Sequence, residues 1–450
     1  MVTKQQFFQY EQALASALFR MESRGILVDA EKLRLLEESV NDKVNFMCHL
    51  ISEEIGTNVY PSEKERTGDG IILSSQKQVL GMLKKLGFLK IPLKNGRETI
   101  DSAALNRLSS ETADPFISFL IKIREISKLK SVYIEAKLHN NVLYSSFRTT
   151  GTATGRRASN EYFCGIGTNG QNLPKHSELA MQYRSCLIAR PGKIFVQVDQ
   201  KTAEDWIVNG IIADVSGDTT GIDELRSGRN RHKKLASQIF HKPESEISKD
   251  SIEYYLAKRG RYAGAYGVWA DKMAESSAAE GQIILVQVWE NLLRQFHELE
   301  PLIRKVFQRY VEDTLKKDRV LVTPLGRERM FFDLRPYSDN RETFRKGYAF
   351  IPQSTVGDNT GLSIVNLDKQ IDTLVSESHD SEQHEVFLDK VHEVCQLIEE
   401  SFDREIIFPN GFKLKIPIEF EIGYDLGHMT TCDPSNSAGL TSLLNTLERQ

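Results

Sequence analysis

The sequence predicts an α+β fold in which an α/β unit is interrupted by a helical insertion. Helical periodicity dominates the first part of the 450 residues, and short strands with turns rich in Gly and Asn fill residues 142–205. Helices return over 201–318, and strand-like pieces recur at 319–333 and 412–422. Because strand-forming segments stand on both sides of the helical insertion, one interrupted unit fits this order better than separate domains in series.

The first part of the chain is predicted to be helical with one early break. Apolar residues recur at helical spacing within residues 5–56, and the Gly25–Val28 segment between the two helices is typical of a short extended connector. Polar residues 61–70 predict a loop. Further helices are predicted between these loops and strands, at residues 75–87, 101–138, 355–375 and 386–404.

The helical region at 101–138 carries an excess of basic side chains. They are Lys122, Arg124, Lys128, Lys130 and Lys137, with only two glutamates nearby. A solvated helix face is the usual meaning of such a run, and contact with phosphate groups is the alternative. The sequence leaves both interpretations open.

Composition excludes several classes of protein. The formal net charge is -4, so any nucleic-acid binding must come from local basic patches and metal ions. No segment approaches the ~18–20 apolar residues of a membrane span, and the N-terminus has no secretory pattern. The five cysteines lack C-x2-C spacing, which predicts free thiols in a reducing compartment. We therefore expect a cytoplasmic protein, with an organellar origin left open.

The segment from Lys258 to Gly267, with the sequence KRGRYAGAYG, is the most informative of the chain. Residues four apart share one face of a helix, so Lys258, Tyr262 and Tyr266 would form a single stripe. That stripe offers a cation and two flat rings among small residues, which matches the phosphates, sugar and base of a nucleotide. A helix with core tyrosines and a solvated lysine is the alternative.

Asp199 ends the apolar strand predicted at residues 194–198. A strand end holds a carboxylate rigidly near solvent, which suits a catalytic group, although a helix N-cap is an equally simple interpretation. Glu204, five residues later, is predicted to lie about one and a half turns into the next helix.

His379 and Asp380 form a polar pair far along the chain from Asp199. A lone pair of this kind is weak, but a second distant carboxylate is what a two-metal site requires. Carboxylate oxygens together with substrate phosphates suit Mg²⁺.

Two loops add candidate contacts for phosphates and bases. The basic turn TGRR, which contains Arg156, precedes the amide-rich segment QNLP. Gln353 is predicted to open a helix after Pro352, with Arg345 shortly upstream. His232, ahead of a predicted helix, is a further candidate for a phosphate contact.

A series of segments resembles the polymerase module of family A DNA polymerases, the DNA polymerase I type, and is most similar to bacteriophage or plasmid-like members. ALFRMESRGILVDAEKL and SSQKQVLGML resemble the start of the family's thumb, and REISKLKSVYI resembles its end. TGTATGRRAS with QNLP resembles the primer-template segment, VQVDQKTAED motif A, KRGRYAGAYG motif B and SHDS motif C. PQSTVGD resembles a palm helix near the primer terminus.

The resemblance implies a right-hand polymerase fold with a helical thumb, an antiparallel-sheet palm and helical fingers. The implied boundaries are a thumb with an N-terminal palm-associated segment at 1–145, palm at 146–205 and 319–450, and fingers at 206–318. It implies template-directed addition of deoxynucleotides to a primer 3′-hydroxyl with release of pyrophosphate.

The resemblance also implies the catalytic groups. Asp199 and Asp380 would bind two Mg²⁺ ions, for which Mn²⁺ can substitute, with help from the backbone carbonyl of Gln200. Lys258 would bind the nucleotide's phosphates and protonate the pyrophosphate.

Nucleotide contacts are implied for Glu204, His232, Tyr254, Lys258 and Tyr262. Tyr262 would face the sugar, and its hydroxyl can replace a missing 3′-hydroxyl, so dideoxynucleotides should be accepted well. Glu204 would exclude ribonucleotides. Primer-template contacts are implied for Arg156, Tyr266, Gly267, Arg345, Gln353 and His379.

The chain departs from the family pattern in three respects. Tyr254 stands where the family usually has an arginine; Arg259 or Arg261 could substitute only if the helix turned them to the same side. Ser381 replaces the usual glutamate after Asp380, among unusually polar neighbours. The expected upstream exonuclease domain is missing, which predicts no proofreading by this chain alone.

The remaining expectations concern partners and competing functions. Primer-template DNA and deoxynucleoside triphosphates are the expected partners, with a separate exonuclease, helicase or primase possible, no membrane, and a monomeric chain. Two alternatives stay open: a catalytically impaired DNA-binding relative, and a family A polymerase that prefers an RNA template.

Overall fold

A computed structural model describes residues 4–335 and 338–447. The α-helices, numbered in chain order, are α1 Lys4–Arg24, α2 Ala30–Ile55, α3 Gln76–Lys85, α4 Ser102–Thr112, α5 Pro115–Leu129, α6 Glu178–Ser185, α7 Ala203–Ser216, α8 Thr220–Arg226, α9 Arg231–Phe240, α10 Ile252–Tyr266, α11 Ala270–Ala279, α12 Val286–Leu299, α13 Arg309–Asp318, α14 Arg341–Leu367, α15 Val391–Phe402 and α16 Ser437–Leu447. Short 3₁₀ or π-helical segments occupy Glu63–Glu65, Lys130–Ile134, Phe163–Gly165, Gly170–Asn172, Glu244–Glu246, Ile303–Gln308 and Leu388–Lys390.

The strands are mostly short. They are β1 Ile26–Val28, β2 Val59–Tyr60, β3 Ile71–Ile72, β4 Leu93–Lys94, β5 Arg97–Glu98, β6 Val142–Leu143, β7 Ser146–Arg148, β8 Ala158–Asn160, β9 Leu187–Ile188, β10 Lys193–Gln200, β11 Val320–Val322, β12 Glu328–Met330, β13 Leu374–Ser378, β14 Ser381–Phe387, β15 Ile406–Ile407, β16 Lys413–Leu414, β17 Ile418–Gly423 and β18 Thr430–Cys432. None of the described helices has the length and apolar content needed to cross a bilayer.

The chain forms two compact units. One contains the described residues of 1–29, 137–267 and 294–450, and the other contains residues 30–136 and 268–293. All of the candidate site residues predicted from the sequence lie in the first unit.

A five-stranded antiparallel sheet of order β13-β14-β10-β17-β18 forms the centre of the first unit. Side chains alternate between the two faces of a strand, so Ile194, Val196 and Val198 share one face of β10. These three residues are fully buried in a core with α15 and α16. The opposite face of β10 therefore carries Gln197 and Asp199.

Helix α14 differs from its prediction. A helix was expected at 355–375, with Gln353 opening it after Pro352, whereas α14 begins at Arg341 and contains Pro352 in its interior. Proline in a helix removes one backbone hydrogen bond, so the sequence signal is normally a boundary. Here most of the helix from Tyr348 to Leu367 is buried, and this packing outweighs the local preference.

The hairpin of β13 and β14 was missed by the sequence reading, and α15 begins five residues later than the helix predicted at 386–404. Six polar or charged hairpin residues are buried, and this hides the alternation by which a strand is usually recognised. Helix α6 was also missed, since the region around it is rich in turn residues.

The second unit contains the basic run of the 101–138 region except Lys137, which lies in the first unit. Arg124 donates to the carbonyl of Ile100 at 2.9 Å, and buried Lys130 forms ion pairs with Glu65 and Glu135. These two cations therefore serve internal contacts. Lys122, Lys128 and Lys137 are exposed, so only they keep both interpretations of the run open. The five cysteines are free thiols, as the sequence predicted.

Candidate active site

Asp199 lies in the central strand of the sheet, one residue before β10 ends. Its cross-strand neighbours are Ser381 on β14 and Glu419 on β17. It does not cap the following helix, since Thr202 precedes α7 with a left-handed φ of +49°. The N-cap alternative is therefore excluded.

Asp380 lies in the two-residue turn between β13 and β14, where Ser378 pairs with Ser381. His379, the first residue of this turn, has a φ of +57°, a strained value for a residue other than glycine. The carbonyl oxygen of Asp380 accepts a hydrogen bond of 3.1 Å from the backbone N–H of Gln200, beside Asp199. The turn thus brings the second aspartate against the end of β10.

The two carboxylates repel each other. Burial raises the pKa of Asp199, the charges of Asp380 and Glu419 act in the same direction, and together they bring it to about 7. Burial also raises the pKa of Asp380, although Arg156 opposes that change. Close, partly buried carboxylates of this kind suit a divalent cation, because its charge would relieve the repulsion.

The carboxylate oxygens of Asp199 and Asp380 fit Mg²⁺, the ion that we expect from the sequence. Carboxylate oxygens are the hard ligands it prefers, and one or two of them are enough when substrate phosphates and water complete the shell. Among the described residues no group of three or more His, Cys, Asp or Glu side chains is arranged to hold a metal ion. The side chain of Gln200 binds Thr360 and Asn359, so only its backbone carbonyl is available for the predicted contact.

The polar hairpin around Asp380 is stabilised by partners from distant parts of the chain. Glu377 forms an ion pair with Arg157 at 2.8 Å and accepts a hydrogen bond from Gln171. Arg157 is 1 % exposed and also donates to the carbonyl of His379 at 3.3 Å. Arg157 therefore connects the basic turn directly to the strained turn that carries Asp380.

The other buried charges of the hairpin are also paired. Glu382 lies 3.0 Å from Nε2 of His384, whose Nδ1 lies 2.9 Å from the hydroxyl of Thr373. Glu385 forms an ion pair with Arg190 at 2.8 Å. Because buried charges are tolerated when they are paired, these contacts explain how so polar a segment forms two strands.

Glu204 is the second residue of α7, so its prediction of one and a half turns into the helix is wrong. The helix begins four residues after Asp199, because the chain first turns at Thr202. The carboxylate forms an ion pair with Arg156 and accepts a hydrogen bond from the hydroxyl of Tyr266. Three residues predicted from three separate motifs thus meet at one point.

Helix α10 carries the predicted stripe. Ser251 caps its N-terminus, and Gly267 ends it with a φ of +64°. A Cβ on Gly264 would lie 2.2 Å from the ring of Phe296, so glycine is required for this close packing. Lys258 is exposed in a cleft of about 1330 Å³ that is also lined by Tyr254 and Tyr262.

His232 lies between two tyrosines of α10. Its ring centroid is 5.9 Å from that of Tyr254 and 5.6 Å from that of Tyr262. Burial lowers the pKa of His232 to about 4, and although Asp205 opposes this change, Arg261 and Lys258 reinforce it. The imidazole is therefore neutral near pH 7, so a phosphate contact would be a hydrogen bond and not an ion pair.

Arg261 does not take the place of the arginine replaced by Tyr254. It is 2 % exposed and forms ion pairs with Asp205 and Glu300, away from the stripe. Tyr254 lies on the third position of α10 beside His232. Arg261 is therefore not available to replace the arginine that the resemblance leads us to expect at Tyr254.

The predicted primer-template residues lie around α14. A Cβ on Gly267 would lie 3.1 Å from the ring of Tyr348 and 3.9 Å from Arg345, so these residues are neighbours. Gln353 is half-buried, and the hydroxyl of the next residue, Ser354, donates to the carbonyl of Thr154 in the basic turn. His379 is half-buried, with a pKa that burial lowers.

Sequence reasoning missed several residues of this region. Arg157, Asp205, Glu300 and Glu419 contribute contacts or charge to the site, yet none was singled out. Arg157 and Asp205 each directly follow a predicted residue, and this adjacency was the one available signal. Glu300 and Glu419 lie in segments without any motif.

Comparison with known proteins bears on the whole arrangement. The family described as DNA polymerase family A matches residues 49–428. The DNA polymerase I of Chloroflexus aurantiacus is 26 % identical over 430 residues, which cover 91 % of this chain and 42 % of that protein. The thermostable DNA polymerase I of Thermus aquaticus is 26 % identical over 429 residues, covering 92 % and 47 % respectively. The chain therefore spans less than half the length of these curated relatives.

A solved structure agrees on the fold. The POL domain of Pol1 from M. smegmatis, in complex with DNA primer-template and dNTP, superimposes with a TM-score of 0.76 at 23 % sequence identity. The match covers 93 % of this chain and 70 % of that one. The predicted α+β right-hand polymerase fold is confirmed, and the chain belongs to DNA polymerase family A.

Proposed function

We propose that this protein is a DNA-directed DNA polymerase that adds deoxynucleotides to a primer 3′-hydroxyl. The proposal rests mainly on the proximity of Asp199 and Asp380 at the end of β10. The backbone hydrogen bond from Gln200 to the carbonyl of Asp380 indicates this proximity. Lys258, Tyr262 and Tyr266 lie on α10 in the same compact unit. The solved relative binds DNA primer-template and dNTP, and we propose the same ligands here.

The reaction is an in-line displacement. The 3′-oxygen of the primer attacks the α-phosphorus of the nucleotide, the bond to pyrophosphate breaks, and the hydroxyl proton is released. Two Mg²⁺ ions bound to the carboxylates would supply charge neutralisation at the reacting oxygens. Mn²⁺ is proposed as a substitute.

The side chains of the protein provide binding and orientation. Lys258 attracts the triphosphate and is available to protonate the leaving pyrophosphate. Tyr262 faces the sugar and Tyr266 the templating region. Glu204, held by Arg156 and Tyr266, limits the space beside the sugar, so that a 2′-hydroxyl would collide or compete with these contacts.

Primer extension with Mg²⁺ tests the proposal. We expect extension by the wild type and none by Asp199→Ala or Asp380→Ala. Asp389→Ala is the matched control, because Asp389 is an exposed carboxylate just beyond the other end of β14. Absence of extension by the wild type would show that the protein is the catalytically impaired DNA-binding relative. Equal extension by all variants would favour the same alternative, because the observed activity would then not depend on Asp199 and Asp380.

A preference for RNA templates is the second candidate. It stays open because no residue of the sequence excludes an RNA template. Extension rates on matched DNA and RNA templates decide between the two. We propose the DNA template, and a faster rate on RNA would reverse that assignment.

The prediction that this chain does not remove mismatched primer ends also remains a proposal. A primer with a mismatched 3′ end and a labelled terminal nucleotide tests it directly. We expect the label to be retained with Mg²⁺ in the absence of nucleotides, and its release would contradict the prediction.

A further inference from the structure

Four charged side chains behind α10 form a closed ring of alternating sign, which we call the four-charge ring: Asp205, Arg231, Glu300 and Arg261. Arg261 lies 3.1 Å from Asp205 through its Nε and also contacts Glu300 through Nη1. Arg231 lies 3.0 Å from Glu300 and 3.6 Å from Asp205. Each arginine is thus shared by the same two carboxylates.

The four-charge ring is buried. The side chains of Arg261 and Arg231 are 2 % and 7 % exposed, and the two carboxylates are 15 % and 17 % exposed. Burial would raise the pKa of Asp205, but Arg261 and Arg231 outweigh this effect and lower it. The two arginines therefore keep Asp205 ionised in spite of its burial.

Three helices contribute to this ring next to residues of the nucleotide site. Asp205 of α7 directly follows Glu204, and Arg261 of α10 directly precedes Tyr262. Arg231 of α9 precedes His232, whose ring is 5.6 Å from that of Tyr262. Successive residues of a helix point about 100° apart, so the ring fixes one side of each helix while the site residue uses another.

The energetics favour a positioning role. Buried ion pairs contribute little net stability compared with apolar residues of similar volume, because desolvation offsets their attraction. What they provide is a defined geometry, especially through the planar fork of arginine. Arg261 contacts Asp205 through both Nε and Nη2, at 3.1 Å and 3.2 Å, which restricts the rotation of α10.

We propose that Arg261 is a positioning residue for the nucleotide site, acting through Asp205 and Glu300 to hold Tyr262 in place over the sugar. The proposal rests on the proposed polymerase function and extends it from the cleft residues Asp205 and Arg231 to Arg261, which is buried behind them. Arg261 itself touches neither substrate nor reacting atoms.

The test compares Arg261→Gln with Arg190→Gln. Arg190 is a suitable control because it too is paired with a buried glutamate, Glu385, in the same compact unit, away from the stripe. Each variant is examined by thermal unfolding, by KM and kcat for a deoxynucleotide, and by the ratio of dideoxynucleotide to deoxynucleotide incorporation. The incorporation ratio reports on Tyr262, whereas partial unfolding lowers kcat and leaves this ratio unchanged.

We expect Arg261→Gln to raise KM roughly tenfold and to shift the incorporation ratio, below the ~100-fold cost of misplacing a reacting group by 1 Å. Arg190→Gln should lower the unfolding temperature, and any loss that it causes through the hairpin of Asp380 should appear in kcat, with KM and the incorporation ratio unchanged. Arg261→Lys keeps the charge but loses the planar fork, so its KM should lie between those of the wild type and Arg261→Gln. The double variant Asp205→Asn with Arg261→Gln should raise KM no further than Arg261→Gln alone, because the two substitutions remove the same contact between Arg261 and Asp205.

The inference is overturned if Arg261→Gln and Arg190→Gln behave alike, or if Arg261→Lys and Arg261→Gln both keep the wild-type KM and ratio. A failure of the proposed function would look different, because the wild type itself would then not extend a primer. That result would remove the basis of the proposed function and of the positioning role of Arg261 together.

Discussion

The two segments that carry the aspartates reach the same place by opposite means. In β10, Ile194, Val196 and Val198 are fully buried in the apolar core beneath Asp199. In the β13–β14 hairpin the buried positions include Glu377 and Glu382, which oppose each other across the two strands. Apolar packing is the main support of the first segment, whereas paired charges support the second.

This difference shows where the information for each segment lies. The partners of β10 are apolar residues of any suitable shape, so its own alternation is sufficient to specify it. Several partners of the hairpin are specific residues in distant parts of the chain, such as Arg157 for Glu377 and Arg190 for Glu385. Two like charges directly opposite are unfavourable unless each has its own partner, so the hairpin depends on contacts that its sequence does not contain.

The largest expected effect concerns the aspartates themselves. If both segments hold their carboxylates equally well, Asp199→Asn and Asp380→Asn should lower kcat by similar factors, about 10²–10³ or more, as for other groups that stabilise transition-state charge. Single-turnover primer extension measures this. A loss confined to Asp199→Asn would show that the hairpin carboxylate does not take part.

The second prediction concerns replacing a charged pair of the hairpin by apolar residues, like those that support β10. Glu377→Leu leaves Arg157 buried without its counter-charge, and should lower the free energy of unfolding by about 3–5 kcal/mol. Arg157→Leu with Glu377→Leu removes both charges and should recover most of this loss. Urea unfolding followed by circular dichroism is the measurement, and equal destabilisation by the single and double variants would contradict the pairing.

A third prediction concerns the buried histidine His232 of α9, with the buried histidine His384 of β14 as its control. His232 lies between rings with a pKa of about 4, so the unfolded chain binds a proton that the native state refuses. Stability should therefore fall as the pH decreases from 7 to 5, by about 2 kcal/mol relative to a variant without this group. The stability that depends on neutral His232 is fully present at a pH above the pKa of this histidine in the unfolded chain. It is lost as the pH falls toward the pKa of His232 in the folded protein.

Unfolding of His232→Gln as a function of pH tests this contribution, with His384→Gln as the control because Glu382 and Thr373 hold that imidazole. His232→Gln should show a flatter acid limb than the wild type. An unchanged acid limb would mean that His232 titrates normally.

The smallest expected effect is at Tyr262. Its hydroxyl is predicted to replace a missing 3′-hydroxyl, so Tyr262→Phe should lower acceptance of dideoxynucleotides about tenfold, which corresponds to one lost hydrogen bond. Incorporation with competing dideoxy and deoxy nucleotides measures the ratio. Strong discrimination by the wild type would show that Tyr262 does not face the sugar.

The sequence predicted those parts of the molecule whose signal is local. The β10 strand, the α1–β1–α2 start and the stripe on α10 follow from periodicity and adjacent residues. Other features depend on tertiary contacts that a sequence pattern does not display. The start of α14 at Arg341, well before Pro352, and the first-turn position of Glu204 after Thr202 are examples.

The central claim is that Asp199 and Asp380 together hold divalent cations beside the nucleotide. Crystals of the protein with primer-template, a deoxynucleotide and Mn²⁺, examined by anomalous scattering, test it most directly, with a primer lacking the 3′-hydroxyl to stop the reaction. The account predicts a manganese peak in contact with oxygens of both carboxylates and of the triphosphate. A catalytically active protein whose manganese ions contact only one of the two aspartates would contradict it.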